Sequence, residues 1–203
     1  MEPSAQLLVC APLAVEALAL TWSGAFGLDG GRGAHVRVVR TGMGADRSRS
    51  AAKTLAREPA RAVVVAGFGG AVDPALEPGD VVVADAVSGP DGRSSCDSAS
   101  LARVLRAAGL RVVVGTIACR DHLVRGDERR ALFEQGACAV DMESAWLAGA
   151  ASGRPFCVVR AVVDTPRHEL TRFLPTLRGG TRGYQSLSRV GRALARWASE
   201  ASF

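Results

Sequence analysis

Arg61-Ala62-Val63-Val64-Val65-Ala66-Gly67-Phe68-Gly69-Gly70-Ala71-Val72 is the stretch that decides the fold. Its first half is an unbroken apolar run without polar alternation, the pattern of a strand covered on both faces. Its second half gathers three glycines at that strand's carboxyl end, where a ligand can lie against bare backbone. No Lys-Ser or Lys-Thr pair follows, so the glycines do not form a phosphate-cradling P-loop. Beyond them, Pro78-Gly79-Asp80 reads as a turn that launches the next strand.

Similar valine-rich runs recur at residues 6–11, 34–40, 80–86, 110–118, 137–141 and 156–163. Helix-like segments lie between them at 13–25, 45–56, 98–108, 127–135 and 143–152. A last helix from about Tyr184 to Ala201 carries Leu187, Val190, Leu194 and Trp197 at helical spacing. Strand–helix alternation predicts an α/β fold: a single-domain, three-layer αβα sandwich with a mixed, largely parallel central sheet. The chain's 203 residues suffice for one such domain. Residues 166–183, with Pro166, Pro175 and Gly179-Gly180, are the least regular and read as a functional loop before the last helix.

Composition sets outer bounds. The chain is 48% hydrophobic and 22% charged, as expected of a globular protein. Its net charge of +5 is spread along the chain with no run of five like charges, and aromatics are scarce, which argues against a nucleic-acid partner. Cys10, Cys96, Cys119, Cys138 and Cys157 form no CxxC pair and mostly adjoin apolar runs, so reduced, buried thiols in a cytoplasmic protein are expected. His35, His122 and His168 lack metal-ligand spacing, and neither a metal nor a cofactor is expected. No stretch approaches the ~20 apolar residues of a membrane span.

In open α/β sheets ligands bind outside the carboxyl ends of the strands, so the residues following each run are the ones to inspect. Thr41-Gly42-Met43-Gly44 precedes a helix, and its N–H groups suit an anion. As a dinucleotide fingerprint it is incomplete, lacking both the third glycine and the acidic residue after the next strand. Val140-Asp141-Met142-Glu143-Ser144 puts two carboxylates at a strand end and a helix start, where either could simply cap or suit the helix dipole. Val163-Asp164-Thr165-Pro166 ends another apolar strand on a carboxylate, which partial desolvation would help to carry a proton. Glu16, after the first strand, is the third carboxylate placed to converge.

Taken together these segments resemble the nucleosidase and nucleoside phosphorylase superfamily that includes methylthioadenosine/adenosylhomocysteine nucleosidases. The glycine-rich strand end with Val72-Asp73-Pro74 through Gly79-Asp80-Val81 is similar to that family's second motif, and Val140-Asp141-Met142-Glu143-Ser144 to its ribose-binding Met-Glu motif. The likeness spans about residues 6–165 in consistent order. It implies Asp164 as the acid that protonates the departing base and Glu16 as the water-activating base. It also implies that Met142 and Glu143 hold the ribose, with Leu123, Val124 and Asp141 on the base-binding side. Gly44, Gly67, Phe68 and Gly69 would form the backbone of the nucleophile pocket.

The wording of the motif and the short length resemble the hopanoid-biosynthesis branch, which removes adenine from an adenosyl-hopane. Phe68 stands where methylthioadenosine nucleosidases carry Ser, Thr165-Pro166 replaces small residues, and the segment 88–96 is short; these departures bear on the 5′ substituent. The resemblance thus implies hydrolytic release of adenine from a 5′-substituted nucleoside, in a homo-oligomer. Hexameric phosphorylases have an Arg near the position of Val65, which is apolar here and favours water as nucleophile, whereas Arg40 and Arg47 keep phosphate in play. The same residues would also suit a futalosine-type hydrolase or a non-catalytic nucleotide-binding module.

Overall fold

The structure is a computed structural model and describes residues 5–21, 36–167 and 177–200. Eight strands form one sheet: β1 (Ala5–Ala11), β2 (Val36–Arg40), β3 (Ala60–Ala71), β4 (Val81–Gly89), β5 (Gly92–Ser95), β6 (Val112–Cys119), β7 (Ala137–Asp141) and β8 (Phe156–Asp164). The helices are α1 (Ala14–Thr21), α2 (Ala45–Leu55), α3 (Ser98–Ala107), α4 (Gly126–Glu134), α5 (Ser144–Leu147) and α6 (Leu177–Glu200). β1 runs parallel to β2 and β3, β3 to β8, and β6 to β4 and β7. β4 pairs antiparallel with β5 and β8, and the end of β3 pairs antiparallel with β7. The sheet is therefore mixed and largely parallel, and the fold class read from the sequence holds. The pairing also closes on itself, running from β3 through β8, β4, β6 and β7 back to β3.

Alternation within the apolar strands feeds a core on each face. Leu7, Val9, Val64 and Val83 pack with Leu20 of α1, Leu101 and Leu105 of α3, and Leu187, Leu194 and Trp197 of α6. Their neighbours Leu8, Cys10, Val63, Val65 and Val82 pack on the other face with Leu55 of α2 and Trp146 and Leu147 of α5. This is the reason these strands show no polar alternation. All five thiols are free, and all but the half-buried Cys96 are buried.

Several boundaries differ from expectation. β3 does not end at Ala66 but runs through all three glycines to Ala71. Residues 88–96 are not a plain loop, since Gly89 pairs with Gly92 in a β4–β5 hairpin. The helix expected at 143–152 is only the single turn of α5 followed by a 3₁₀ turn at Ala148–Ala150. It stops where Ser152 and Gly153 take positive φ of 48° and 84° and Arg154 binds the carbonyls of Ala150 and Ala151. α6 begins at Leu177, so the expected irregular stretch contains its first turns. Its glycines serve close packing: a Cβ on Gly191 would lie 2.3 Å from the carbonyl oxygen of Leu20. Residues 168–176, in the middle of the expected functional loop, lie outside the described residues.

Candidate active site

A cavity of about 480 Å³ opens at the carboxyl ends of β1, β3, β7 and β8. Glu16, Phe68, Gly69, Leu123, Val124, Asp141, Met142, Glu143 and Asp164 line it, together with Pro12, Leu13, Val15, Met43, Arg129 and Tyr184. Gly44 and Gly67 are not among the residues that line it. The structure thus brings together the residues that the sequence left scattered, and it gives several of them a more definite place.

Glu16 is 2% exposed on the first turn of α1. One carboxylate oxygen accepts the Leu13 N–H at 2.6 Å and the other the Phe68 N–H at 2.7 Å. It is thus the backbone of Phe68 that meets Glu16. Burial raises the Glu16 pKa, while Arg160 and these two N–H groups oppose the rise. Glu143 is 6% exposed at the entry to α5. Its Oε1 accepts the Gly44 N–H at 3.3 Å, so the anion at the first glycine turn is a side chain of the protein itself. Burial pushes the Glu143 carboxyl up to about 7, against the pull of Arg160 and with help from Asp141 and Glu16.

Asp141, expected on the base-binding side, is used differently. Its Oδ1 accepts the N–H groups of Glu143 and Ser144 and the Ser144 hydroxyl. Its Oδ2 accepts a hydrogen bond from Nε of Arg160 at 2.7 Å and lies 2.7 Å from Nη2. The carboxylate has no exposed surface left for a ligand. It fixes the turn into α5 and neutralises a buried cation, because an unpaired charge at this depth would cost several kcal/mol.

Arg160 is the buried cation beside the site that the sequence reading did not single out. It lies in the middle of β8, 0% exposed, among Asp141, Glu143 at 3.6 Å and Glu16. Those carboxylates hold its pKa well above the ordinary arginine value against the opposing effect of burial. The signal was present: an arginine inside the apolar run Val158-Val159-Arg160-Ala161 needs buried partners. Its guanidinium also supplies, from the neighbouring strand, the positive charge that Val65 lacks. Arg129 was missed as well. It is buried on α4, and its Nη2 lies 2.6 Å from Oδ2 of Asp164. Its spacing from Leu132, three residues on, marks it as inward-facing.

The glycines of β3 leave room for charged side chains. A Cβ on Gly67 would lie 2.5 Å from Oε1 of Glu16 and 2.6 Å from Nη1 of Arg160. One on Gly70 would lie 2.7 Å from Oδ1 of Asp164, and one on Gly69 would lie 3.0 Å from Cβ of Arg160. What rests on the bare strand is the protein's own charged side chains. In β8 the extra residue Val163, opposite the step from Gly69 to Gly70, bulges the strand and re-aims Asp164.

The site can thus offer a buried acid–base group at each end and apolar walls between them. A sequence model of the phosphorylase superfamily matches residues 21–178. The chain belongs to the phosphorylase superfamily. Among solved structures it is similar to the S-adenosylhomocysteine nucleosidase of Streptococcus pyogenes in complex with 5-methylthiotubericidin, at 23% identity and TM-score 0.75, covering 98% of each chain. The 5′-methylthioadenosine/S-adenosylhomocysteine nucleosidase of Helicobacter pylori aligns at 17% identity and TM-score 0.78, over 98% of this chain and 99% of that one. The futalosine hydrolase of Helicobacter pylori aligns at 17% identity and TM-score 0.75, over 97% and 98%. At these identities the structures establish a shared fold. Comparison with curated protein sequences gave no match.

Proposed function

We propose that the protein hydrolyses the N-glycosidic bond of a 5′-substituted adenine nucleoside, releasing adenine and the free sugar. The observation that carries this reading is the convergence of Oε1 of Glu16 and Nη1 of Arg160 over the bare backbone of Gly67. That Nη1 is buried and has no hydrogen-bond partner among the described residues. A donor and an acceptor facing each other in this way suit a water molecule, which needs both. Glu143 lies on the same side, where its carboxylate would accept hydrogen bonds from ribose hydroxyls and favour positive charge on the sugar in the transition state. Met142 would pack on the sugar.

In the reaction, Glu16 takes a proton from the water as its oxygen bonds to the anomeric carbon. The C1′–N bond breaks with its electron pair moving to the base. Asp164, beside Leu123 and Val124, gives the base the proton it needs to leave. Well-placed acid–base groups contribute roughly 10²–10⁴ in rate each.

Water rather than phosphate fits the charge of this corner. Three carboxylates, Glu16, Asp141 and Glu143, surround the guanidinium of Arg160, and they would repel a phosphate dianion. Arg40 and Arg47 do not line the cavity and are exposed. The 5′ substituent is read as apolar, such as the hydrocarbon of an adenosyl-hopane. Pro12, Leu13, Val15 and Met43 form that wall, and Val15 and Leu18 of α1 remain 45% and 49% exposed. The test is adenine release from adenosine, 5′-methylthioadenosine, S-adenosylhomocysteine, futalosine and adenosyl-hopane, with and without phosphate. Phosphate-independent release with free ribose-type product, fastest for the apolar substituent, is expected. A phosphate requirement with a sugar 1-phosphate product would overturn the hydrolytic reading, and tight binding without turnover would leave only a nucleotide-binding module.

A further inference from the structure

The buried pair Arg129–Asp164 joins two parts of the cavity that come from different elements. Asp164 ends β8 and is 4% exposed; Arg129 belongs to α4 and is 2% exposed. Nη2 of Arg129 donates to Oδ2 of Asp164 at 2.6 Å, and it also reaches the carbonyl oxygen of Val124 at 3.3 Å. Val124 and its neighbour Leu123 are wall residues of the cavity. The other carboxylate oxygen, Oδ1, lies over Gly70, which is itself a cavity residue. One guanidinium therefore ties the wall to the carboxylate and occupies one particular oxygen of it.

We propose that Arg129 is a positioning residue that orients Asp164 and sets its strength as an acid. The inference rests on the reading of Asp164 as the group that protonates the departing base. A guanidinium has donors only, so an oxygen bound to it cannot also carry a proton pointing the same way. Oδ2 is thus kept as the acceptor, and the transferable proton resides on Oδ1. When that proton passes to the base nitrogen, the carboxylate left behind is buried. Arg129 pairs with it and so offsets part of the cost of a buried negative charge. The pair returns to its starting state when solvent reprotonates Asp164. An opposite charge at this distance typically strengthens a carboxylic acid by about 1–3 pH units. Burial alone acts in the other direction.

The test uses Arg129→Met and Arg129→Lys beside Asp164→Asn in the full-length protein. Carboxyl carbon-13 resonances are followed against pH, and the Asp164 signal is the one missing from Asp164→Asn. In Arg129→Met the Asp164 signal should titrate at least about 1 pH unit higher than in the wild type, with Arg129→Lys between them. In adenine release from 5′-methylthioadenosine, Arg129→Met should lower kcat about 10- to 100-fold with KM changed less than about threefold, and its alkaline limb should move up. Lysine should recover part of the loss. An unchanged titration, or an unchanged pH profile with kcat lost only in proportion to folded protein, overturns the proposal. If Asp164→Asn releases adenine at the wild-type rate, the reading of the acid itself fails, while the titration still decides whether Arg129 controls the charge. Should Arg129→Met not fold, Arg129→Met/Asp164→Asn removes the unpaired charge, and recovery of folding by that double variant supports the pairing; the Lys variant then carries both readouts.

Discussion

Glu143 shows what burial does to a single side chain. In the free protein its carboxyl titrates near pH 7, because leaving water costs the charged form more than Arg160 returns. Ribose hydroxyls are best held by the ionised form, so kcat/KM for a nucleoside should rise as pH passes upward through about 7. Glu143→Gln should lower kcat/KM about 10²-fold or more and remove that limb, as a pH series on both proteins would show. Stability moves the other way. Below about pH 4.5 the group is neutral in both folded and unfolded chains. Above about 7 it is charged in both, and the folded state bears the full desolvation cost. The difference corresponds to at most about 3 kcal/mol. Thermal melts should therefore show Glu143→Gln gaining on the wild type between pH 5 and pH 8. Arg160 is the opposite case. Arg160→Met strands Asp141, Glu143 and Glu16 around an apolar group, and about 3–5 kcal/mol of stability should be lost at neutral pH, measurable by denaturant unfolding.

Elements meet through glycines, and two substitutions separate their roles. Gly67→Ala puts a methyl into the space held by Glu16 and Arg160, both ends of side chains that can shift. The protein should fold with near-normal Tm, but turnover should fall at least tenfold as the two groups are displaced from each other. Gly191→Ala places its Cβ 2.3 Å from a main-chain oxygen of α1, which cannot move as easily. It should cost about 1–3 kcal/mol, seen as a lower Tm, with activity per folded molecule unchanged. The sequence signalled every glycine but not its purpose. The run Gly67, Gly69 and Gly70 reads as a strand end open to a ligand, and Gly69 and Gly70 do line the cavity; the same bare backbone, continuing β3, also makes room for the charged side chains that cross it. The 143–152 segment has helical composition, and only the positive φ at Ser152 and the Arg154 guanidinium cut it short.

For the molecule as a whole, the two cores on either face of the sheet leave little that solvent can attack. Burial pushes the thiols of Cys10, Cys96 and Cys157 up to about 12 and that of Cys138 up to about 11, and raises that of Cys119 as well, so exposure is what sets Cys96 apart. A thiol reagent at pH 8 should modify half-buried Cys96 first and the others only at the rate of global unfolding, checked by mass spectrometry of partly labelled protein. Sequence alone determined the α/β class and most of the helices and strands, and it singled out the three carboxylates Glu16, Glu143 and Asp164, which the fold brings to one cavity. Those follow from local rules: apolar runs mark buried strands, and ligands collect at strand ends. Tertiary structure decided the closure of the sheet through β8, the use of Asp141 as a partner for Arg160, and the pairing of Arg129 with Asp164. These depend on residues 19 and 35 positions apart meeting in a dry interior. What a buried charge does is set by the partner that the fold places beside it, and spacing along the chain does not carry that information.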